Sequence, residues 1–198
     1  MKTINWKDFL LNGLNLSAIN PKSGFTSMTV GIFDGVHMGH QALIERIVSH
    51  NKDYTPAVVT FRENHKTGKV MRNKENNTYR DIQNFQQKLE ILENSGIQIT
   101  IVIDFTDEIR NMPGIEFLEI LLKNGNIGFF AAGSGFRCGS RLDTDAIAIE
   151  KFFASRGIPA EIVTEVMEGA LPVSSSRIRA AIAEGDHALA EKMLGRKI

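Results

Sequence analysis

Apolar residues come in short dense runs separated by amphipathic stretches along nearly the whole chain. Residues 28–33, 56–61, 97–105, 127–132 and 160–163 are compact runs rich in β-branched and aromatic side chains, and they predict buried strands. Between them, residues 39–49, 81–95, 114–123 and 143–156 place apolar side chains three and four apart and predict helices. In the first of these Ala42, Leu43, Ile44 and Ile47 form the inner face. In the second Ile82, Phe85, Leu89 and Leu92 do so, with Asp81 expected as the cap and Gly96 as the stop. Two short helices are expected near the end, one opened by residues 173–179 and closed by Gly185, the other over 186–194. Residues 5–16, with Trp6, Phe9 and Leu10 grouped, predict a short helix or cap on the main body. Residues 62–80 have almost no apolar content beyond Val70 and Met71 and predict a long loop, either a binding segment or plain disorder.

Strands alternating with helices predict an α/β fold, a Rossmann-like doubly wound parallel sheet of about five strands with right-handed crossovers. In such sheets ligands sit at the carboxyl ends of the strands, near the point where strand order reverses. Three loops are expected there: 31–40, 62–80 and 133–145. Neither an internal repeat nor an inter-domain linker is visible, so residues 1–198 read as one domain, with 1–26 as an N-terminal cap segment.

Composition narrows the function classes. Lys plus Arg and Asp plus Glu each number 23 in 198 residues, so broad attraction to nucleic acid or anionic membrane is unsupported. The single cysteine, Cys138, permits neither an internal disulfide nor a thiolate zinc site and has no paired His or Asp in its local sequence. A reducing, cytoplasmic location is expected. The polar start lacks a signal peptide's pattern, and no apolar run approaches membrane-spanning length. Small-molecule substrates are expected, and no protein partner can be inferred.

Three motifs carry chemistry. Thr29-Val-Gly-Ile-Phe-Asp-Gly-Val-His-Met-Gly-His40 reads as strand, glycine-rich turn and helix start, with His37 and His40 in the first helical turn. Glycine permits close backbone approach, and a helix start offers unpaired N–H groups and partial positive charge to a phosphate. The histidine pair also has zinc-like spacing, but zinc needs a further ligand and none is fixed nearby. A third reading makes them helix-capping side chains without chemistry. The second motif is Val173-Ser-Ser-Ser-Arg-Ile-Arg179. One serine suffices to cap a helix; three hydroxyls with Arg177 and Arg179 in the first turn make a polyphosphate cradle. In the third, Gly133-Ser-Gly-Phe-Arg-Cys-Gly139, Phe136 can stack on a ring or fill the core, and Arg137 can meet phosphate or stay solvated. Its glycine spacing is not that of a dinucleotide fingerprint. Asp34 reads as a turn former or as a group that orders the site.

Taken together, Gly31-Ile-Phe-Asp-Gly-Val-His-Met-Gly-His40, Val-Val-Thr-Phe61, Gln87-Lys-Leu-Glu-Ile-Leu-Glu93, Gly135-Phe-Arg-x-Gly139 and Val173-Ser-Ser-Ser-Arg-Ile-Arg179 resemble the FMN adenylyltransferase module of bacterial bifunctional riboflavin kinase/FAD synthetases. That module belongs to the nucleotidyltransferases with a His-x-Gly-His motif, and the likeness runs over roughly residues 28–196. The resemblance implies transfer of AMP from MgATP to FMN, giving FAD and pyrophosphate. It implies His40, His37 and Arg177 as catalytic groups, with His40 nearest the reacting phosphate. ATP would be bound by Gly31, Phe33, Asp34, His37, Gly39, His40, Ser174, Ser175, Ser176 and Arg177, and the flavin by Thr60, Phe61, Arg62, Phe136 and Arg137. The family requires Mg²⁺; no residue is assigned to the metal. Kinase activity is not expected.

The chain departs from that pattern on the acceptor side. Where the family continues Thr-Phe with Pro-His-Pro, this chain has Arg62-Glu-Asn-His65. The loop at 133–139 carries Ser134 and Gly135 in place of acidic or amide residues and Cys138 in place of an aromatic one, and a later family Arg falls on Leu142. Two alternatives stay open: a non-catalytic flavin- or nucleotide-binding protein on a decayed scaffold, and a nucleotidyltransferase for another phosphorylated acceptor.

Overall fold

The computed structural model describes residues 1–20, 24–62 and 81–198. The predicted loop at 62–80, apart from Arg62, lies outside the described residues.

The strand order follows from which apolar runs can be buried on both faces. β2 (Thr26–Val30), β3 (Thr55–Phe61) and β4 (Ile99–Ile103) are buried almost throughout, as interior strands of a parallel sheet must be. β1 (Lys2–Asn5), β5 (Ile127–Gly133) and β8 (Ala160–Val163) complete a six-stranded sheet of order β1-β4-β3-β2-β5-β8. Every adjacent pair is parallel. The sheet thus has one more strand than the periodicity predicts. The addition is β1, whose Lys-Thr-Ile-Asn carries no apolar run; it pairs with β4 from Lys2 opposite Ile99 to Asn5 opposite Val102. A polar edge strand of this kind is recognisable only through its partner.

Helices cover both faces. α1 (Trp6–Asn12), α5 (Gly114–Gly125) and α6 (Ala146–Ala154) pack with Met28, Val30, Val59, Ile101 and Phe130 in the larger core. α2 (Met38–Ser49) and α3 (Phe85–Asn94) enclose a second core with Val58, Phe129 and Ala131 on the opposite face. Alternate residues of a strand point to opposite faces, so Val58 and Val59 enter different cores. α4 (Asp107–Asn111) precedes α5. Two short antiparallel pairs, β6 (Arg137–Cys138) with β7 (Thr144–Asp145) and β9 (Met167–Glu168) with β10 (Leu171–Pro172), lie outside the main sheet. α7 (Ser175–Ala183) and α8 (His187–Leu194) form a helical hairpin around Val173, Ile178, Ala181, Met193 and Leu194.

Two helix starts differ from expectation. α3 begins after Asn84, not Asp81: Asn84 Oδ1 accepts from Gln87 N while Gln87 Oε1 accepts from Asn84 N, a complete capping box. Ile82, expected on the helix face, instead lies against Gly35 and the α7–α8 cluster. α6 begins at Ala146, because Thr144 and Asp145 pair with β6 and Asp143 accepts from Gly114 N at 3.0 Å. Asp145 caps the helix through Ala148 N.

From β2 the chain steps through β3 to β4 on one side, and β5 and β8 lie on the other. The reversal falls between β2 and β5, where parallel sheets of this type open a crevice at the carboxyl ends.

Candidate active site

The chain leaves β2 at that reversal and makes a turn that few sequences tolerate. Phe33 has φ 53° and Val36 φ 37°, and Gly35 between them has φ 81°. Left-handed backbone is unusual for any L side chain and most of all for a β-branched one; such residues cost about 1–3 kcal/mol each and persist where the surroundings hold them. Phe33 and Val36 are both fully buried. Gly31 is required here, since a Cβ at that position would lie 2.9 Å from the Phe33 ring.

The turn delivers His37 as the N-cap of α2. Its Nδ1 accepts from His40 N at 3.4 Å, which leaves the proton of the neutral ring on Nε2. One turn on, His40 stacks on it with ring centroids 3.6 Å apart and planes inclined by 17°. The Phe33 ring closes the other side of His40 at 5.1 Å. Burial drives the His37 pKa down to about 4, and the Arg196 charge pushes the same way. Burial drives His40 well below its ordinary value too, reinforced by His37 and Lys88. Both imidazoles are therefore uncharged at neutral pH. Among the described residues His40 Nδ1 is buried without a hydrogen-bond partner. An orphaned polar atom beside a helix start is where a ligand would supply what the protein does not.

Asp34 is 2 % exposed. Its Oδ2 pairs with Arg179 of α7, and its Oδ1 accepts from Ile82 N at 3.1 Å. Burial raises its pKa above the ordinary carboxylate value, partly offset by the Ile82 hydrogen bond and by Arg179.

The serine-rich motif meets the turn directly, but its side chains divide the work. Ser174 caps α7 through Arg177 N. Ser175 Oγ donates to Asp34 O at 2.8 Å, fastening α7 to the turn. Ser176 is exposed. The Arg177 guanidinium reaches back to the β9–β10 hairpin, donating to Leu171 O and Pro172 O at 2.8 Å each and to Glu168 O at 3.3 Å. Two arginines in a first helical turn look unfavourable in sequence; here one holds a hairpin's carbonyls and the other a buried carboxylate. Gly39 lies close by, with Val173 O 3.9 Å from where its Cβ would be.

Of the residues expected on the flavin side, Thr60 is buried and donates to Ile32 O at 3.1 Å, tying β3 to the start of the turn. Phe61 packs edge-on to Phe105 at 5.7 Å. Arg62 pairs with Asp104 at 2.7 Å and lies 5.0 Å from the centre of the Phe85 ring. Phe136 and Arg137 follow β5 instead. Phe136 is partly buried against the larger core, and Arg137 is exposed on β6. Their loop is anchored on α5: Gly139, with φ 83°, has Gly114 N and Asp143 Oδ1 each 2.2 Å from a would-be Cβ. Burial pushes the Cys138 thiol up to about 12, with help from Asp143, so it is inert as a nucleophile.

Four residues that the motifs did not single out also hold the turn: Gln41, Gln83, Lys88 and Arg196. Lys88 is 1 % exposed and donates to Ile32 O at 2.9 Å and Phe61 O at 3.0 Å, joining the ends of two strands. Its burial lowers its pKa to about 8, against the opposing pull of Asp34 and Asp81. A signal was available: Lys88 falls between Phe85 and Leu92 on the inward face of α3, where a lysine needs a partner. Arg196 and Gln83 carried no such signal, because the turn carbonyls they hold, and each other, are remote in sequence.

A doubly wound parallel sheet carrying a His-x-Gly-His turn at the carboxyl end of its central strand defines a nucleotidyltransferase-type α/β fold. The chain belongs to the FAD synthetase family, whose model matches residues 20–177. It is 27% identical over 188 residues to the bifunctional riboflavin kinase/FMN adenylyltransferase of Escherichia coli K12, covering 94% of this chain and 59% of that protein. It is 29% identical over 171 residues to the Bacillus subtilis protein of the same description, covering 85% and 52%. The chain thus spans little more than half the length of these relatives. A crystal structure of a Streptococcus pneumoniae protein described as a macrolide-efflux protein superposes with a TM-score of 0.80 at 26% identity, covering 99% of this chain and 60% of that one. Among the described residues no helix is long and apolar enough to cross a membrane.

Proposed function

We propose that this protein transfers the adenylyl group of MgATP to the phosphate of FMN, forming FAD and releasing pyrophosphate. The observation that carries the reading is the stacked, uncharged pair His37–His40 at the start of α2, with a buried nitrogen of His40 unpartnered among the described residues. Family membership favours FMN as the acceptor.

In this reading an FMN phosphate oxygen attacks the α-phosphorus. The new P–O bond forms as the bond from the α-phosphorus to the bridging oxygen breaks, and the electron pair leaves with pyrophosphate. The attacking phosphate is already ionised, so the protein's task is positioning and charge stabilisation. His40 and His37 donate N–H groups to the α-phosphate oxygens as charge builds there. Gly31, Phe33, Asp34 and Gly39 shape the space that brings the triphosphate onto the helix start. Ser174, Ser175, Ser176 and Arg177 face the β- and γ-phosphates through the N-terminus of α7 and the hydroxyl left exposed. Thr60, Phe61 and Arg62 border the flavin on one side, Phe136 and Arg137 on the other.

Mg²⁺ enters as part of the substrate. Among the described residues no group of three or more His, Cys, Asp or Glu side chains is placed to hold a metal. Asp34, the carboxylate of the turn, is committed to Arg179 and Ile82. A cytoplasmic location fits the single unpaired cysteine and the supply of ATP there.

The test is direct. Purified protein with FMN, ATP and Mg²⁺ should yield FAD and pyrophosphate in equal amounts. His40→Ala should lower turnover by about a hundredfold or more, the usual effect of losing one donor to a transition-state oxyanion, with an unchanged circular dichroism spectrum. Pyrophosphate release with a different phosphate ester but not with FMN would shift the acceptor. Binding of both substrates without product would favour the non-catalytic alternative.

A further inference from the structure

Five consecutive carbonyls of the histidine turn are each held by a side chain from outside the turn itself. Ile32 O accepts from Lys88 Nζ at 2.9 Å and from Thr60 Oγ1 at 3.1 Å. Phe33 O accepts from Gln83 Nε2 at 3.2 Å. Asp34 O accepts from Ser175 Oγ at 2.8 Å. Gly35 O accepts from Arg196 Nη2 at 2.7 Å. Val36 O accepts from Gln41 Nε2 at 2.9 Å and from Arg196 Nη1 at 3.4 Å. The donors come from α2, α3 and the segment before it, β3, α7 and the stretch after α8.

Arg196 is the member that serves most of this set. Its guanidinium reaches two of the five carbonyls directly. Through Nη2 it also donates to Gln83 Oε1 at 2.9 Å, orienting the amide that holds a third. Nη1 lies 3.5 Å from Leu194 O, and Gln41 Nε2 donates to that same carbonyl at 2.8 Å. A planar fork of fixed geometry can bind several acceptors at once, which an ammonium cannot do with equal definition.

The carbonyls it holds are the two that precede His37. In a trans peptide the C=O and the following N–H form one rigid plane and point opposite ways. Holding Val36 O from behind therefore fixes the direction of the His37 N–H and the exit angle of the chain into α2. Left-handed Val36 would relax if released, because its conformation is costly and only the surroundings oppose that relaxation. A small rotation there would carry the His37 ring, and with it the stacked His40 ring, away from their places.

We propose that Arg196 is a positioning residue for the histidine pair: by holding the Gly35 and Val36 carbonyls it keeps the strained turn in the one conformation that presents His37 and His40 to the nucleotide. This rests on the reading of those histidines as nucleotide ligands. The segment around Arg196 is thereby part of the active site's support, although it lies 156 positions beyond His40 in the sequence.

The experiment compares wild type, Arg196→Ala and Arg196→Lys in the full chain. ATP affinity is read by calorimetry, FAD formation by steady-state kinetics, and stability by thermal melting. In Arg196→Ala, ATP affinity and kcat should each fall about tenfold or more, since small misplacement of reacting groups is costly. The KM for FMN should stay within about twofold, because among the described residues no acceptor-side group is hydrogen-bonded to Arg196. Millimolar guanidinium should restore part of the lost turnover, and Arg196→Lys should fall between the other two. A merely structural arginine predicts a lowered melting temperature with normal ATP affinity and kcat in the folded protein, and that result overturns the proposal. So does a loss that neither guanidinium nor lysine restores. Should Arg196→Ala not fold, the lysine variant decides: wild-type affinity and turnover in it overturn the proposal. Wild type that binds ATP but makes no FAD defeats the FMN reading alone, and the ATP titrations still decide Arg196. Wild type that binds no ATP defeats both.

Discussion

His37 shows how one side chain ties stability to function. Its pKa of about 4 in the fold, against 6.5 for an ordinary imidazole, means that between these values the unfolded chain binds a proton the native protein does not. Stability from this group is complete above pH 6.5 and is lost as pH falls toward 4, by about 3 kcal/mol in full. Asp34 acts in the opposite sense, because its carboxyl holds a proton in the fold at a pH where the unfolded chain has released it. Comparison of wild type with His37→Asn isolates the histidine: urea midpoints measured from pH 7 to pH 4 should decline more steeply in wild type, and equal slopes would reject a buried neutral His37. The order of strand, turn and helix start, with His37 at that start, was legible in the residues. The strain at Phe33 and Val36 was not, since nothing in either side chain announces a left-handed backbone.

The turn works as an element because helices are bolted to it. α7 meets it through Ser175 on the Asp34 carbonyl and Arg179 on the Asp34 carboxylate. Removing one partner of a buried ion pair strands the other. Arg179→Leu should therefore cost about 3 kcal/mol at pH 7, and less as pH is lowered, because burial favours the protonated form of a stranded Asp34; urea denaturation at neutral and at acidic pH checks both. The serine motif could be read as a phosphate cradle or as a cap, and the structure gives its members separate duties: Ser174 caps, Ser175 fastens, Arg177 holds the β9–β10 hairpin and Ser176 stays exposed. α3 offers the complementary lesson. Its capping box, Asn84 with Gln87, is written in adjacent residues and could have been read, whereas the apolar Ile82 drew the expected start forward to Asp81. Lys88 sits on the same apolar face, and its partners, Ile32 just after β2 and Phe61 at the end of β3, came into view only when those strand ends were brought together.

Across the whole molecule, the sheet separates the two tasks of the chain. The larger core, with Phe9, Trp6 and Phe117 beneath one face, supplies stability away from the histidine turn. Phe9 is fully buried, so Phe9→Ala should cost about 3–5 kcal/mol and leave ATP affinity of the folded protein unchanged. Trp6, the only tryptophan, lies tilted against Phe9 with ring centres 5.4 Å apart and makes its fluorescence the probe of that transition. Weakened ATP binding in the folded variant would show that the two regions are coupled. Alternating runs of strand and helix, glycines at the turn and histidines at the helix start are local signals, and they sufficed to determine the α/β class and to put the histidine turn at the end of the central strand. β1 has no such signal; β4 recruits it by backbone pairing, which is indifferent to side chains. The same holds for Gln83, Lys88 and Arg196, whose hydrogen bonds go to carbonyls that every residue possesses. Periodicity and chemical type can be read along one dimension. Which distant donor meets which backbone oxygen is settled only when packing brings them within hydrogen-bond reach, and that step decided how the turn is held.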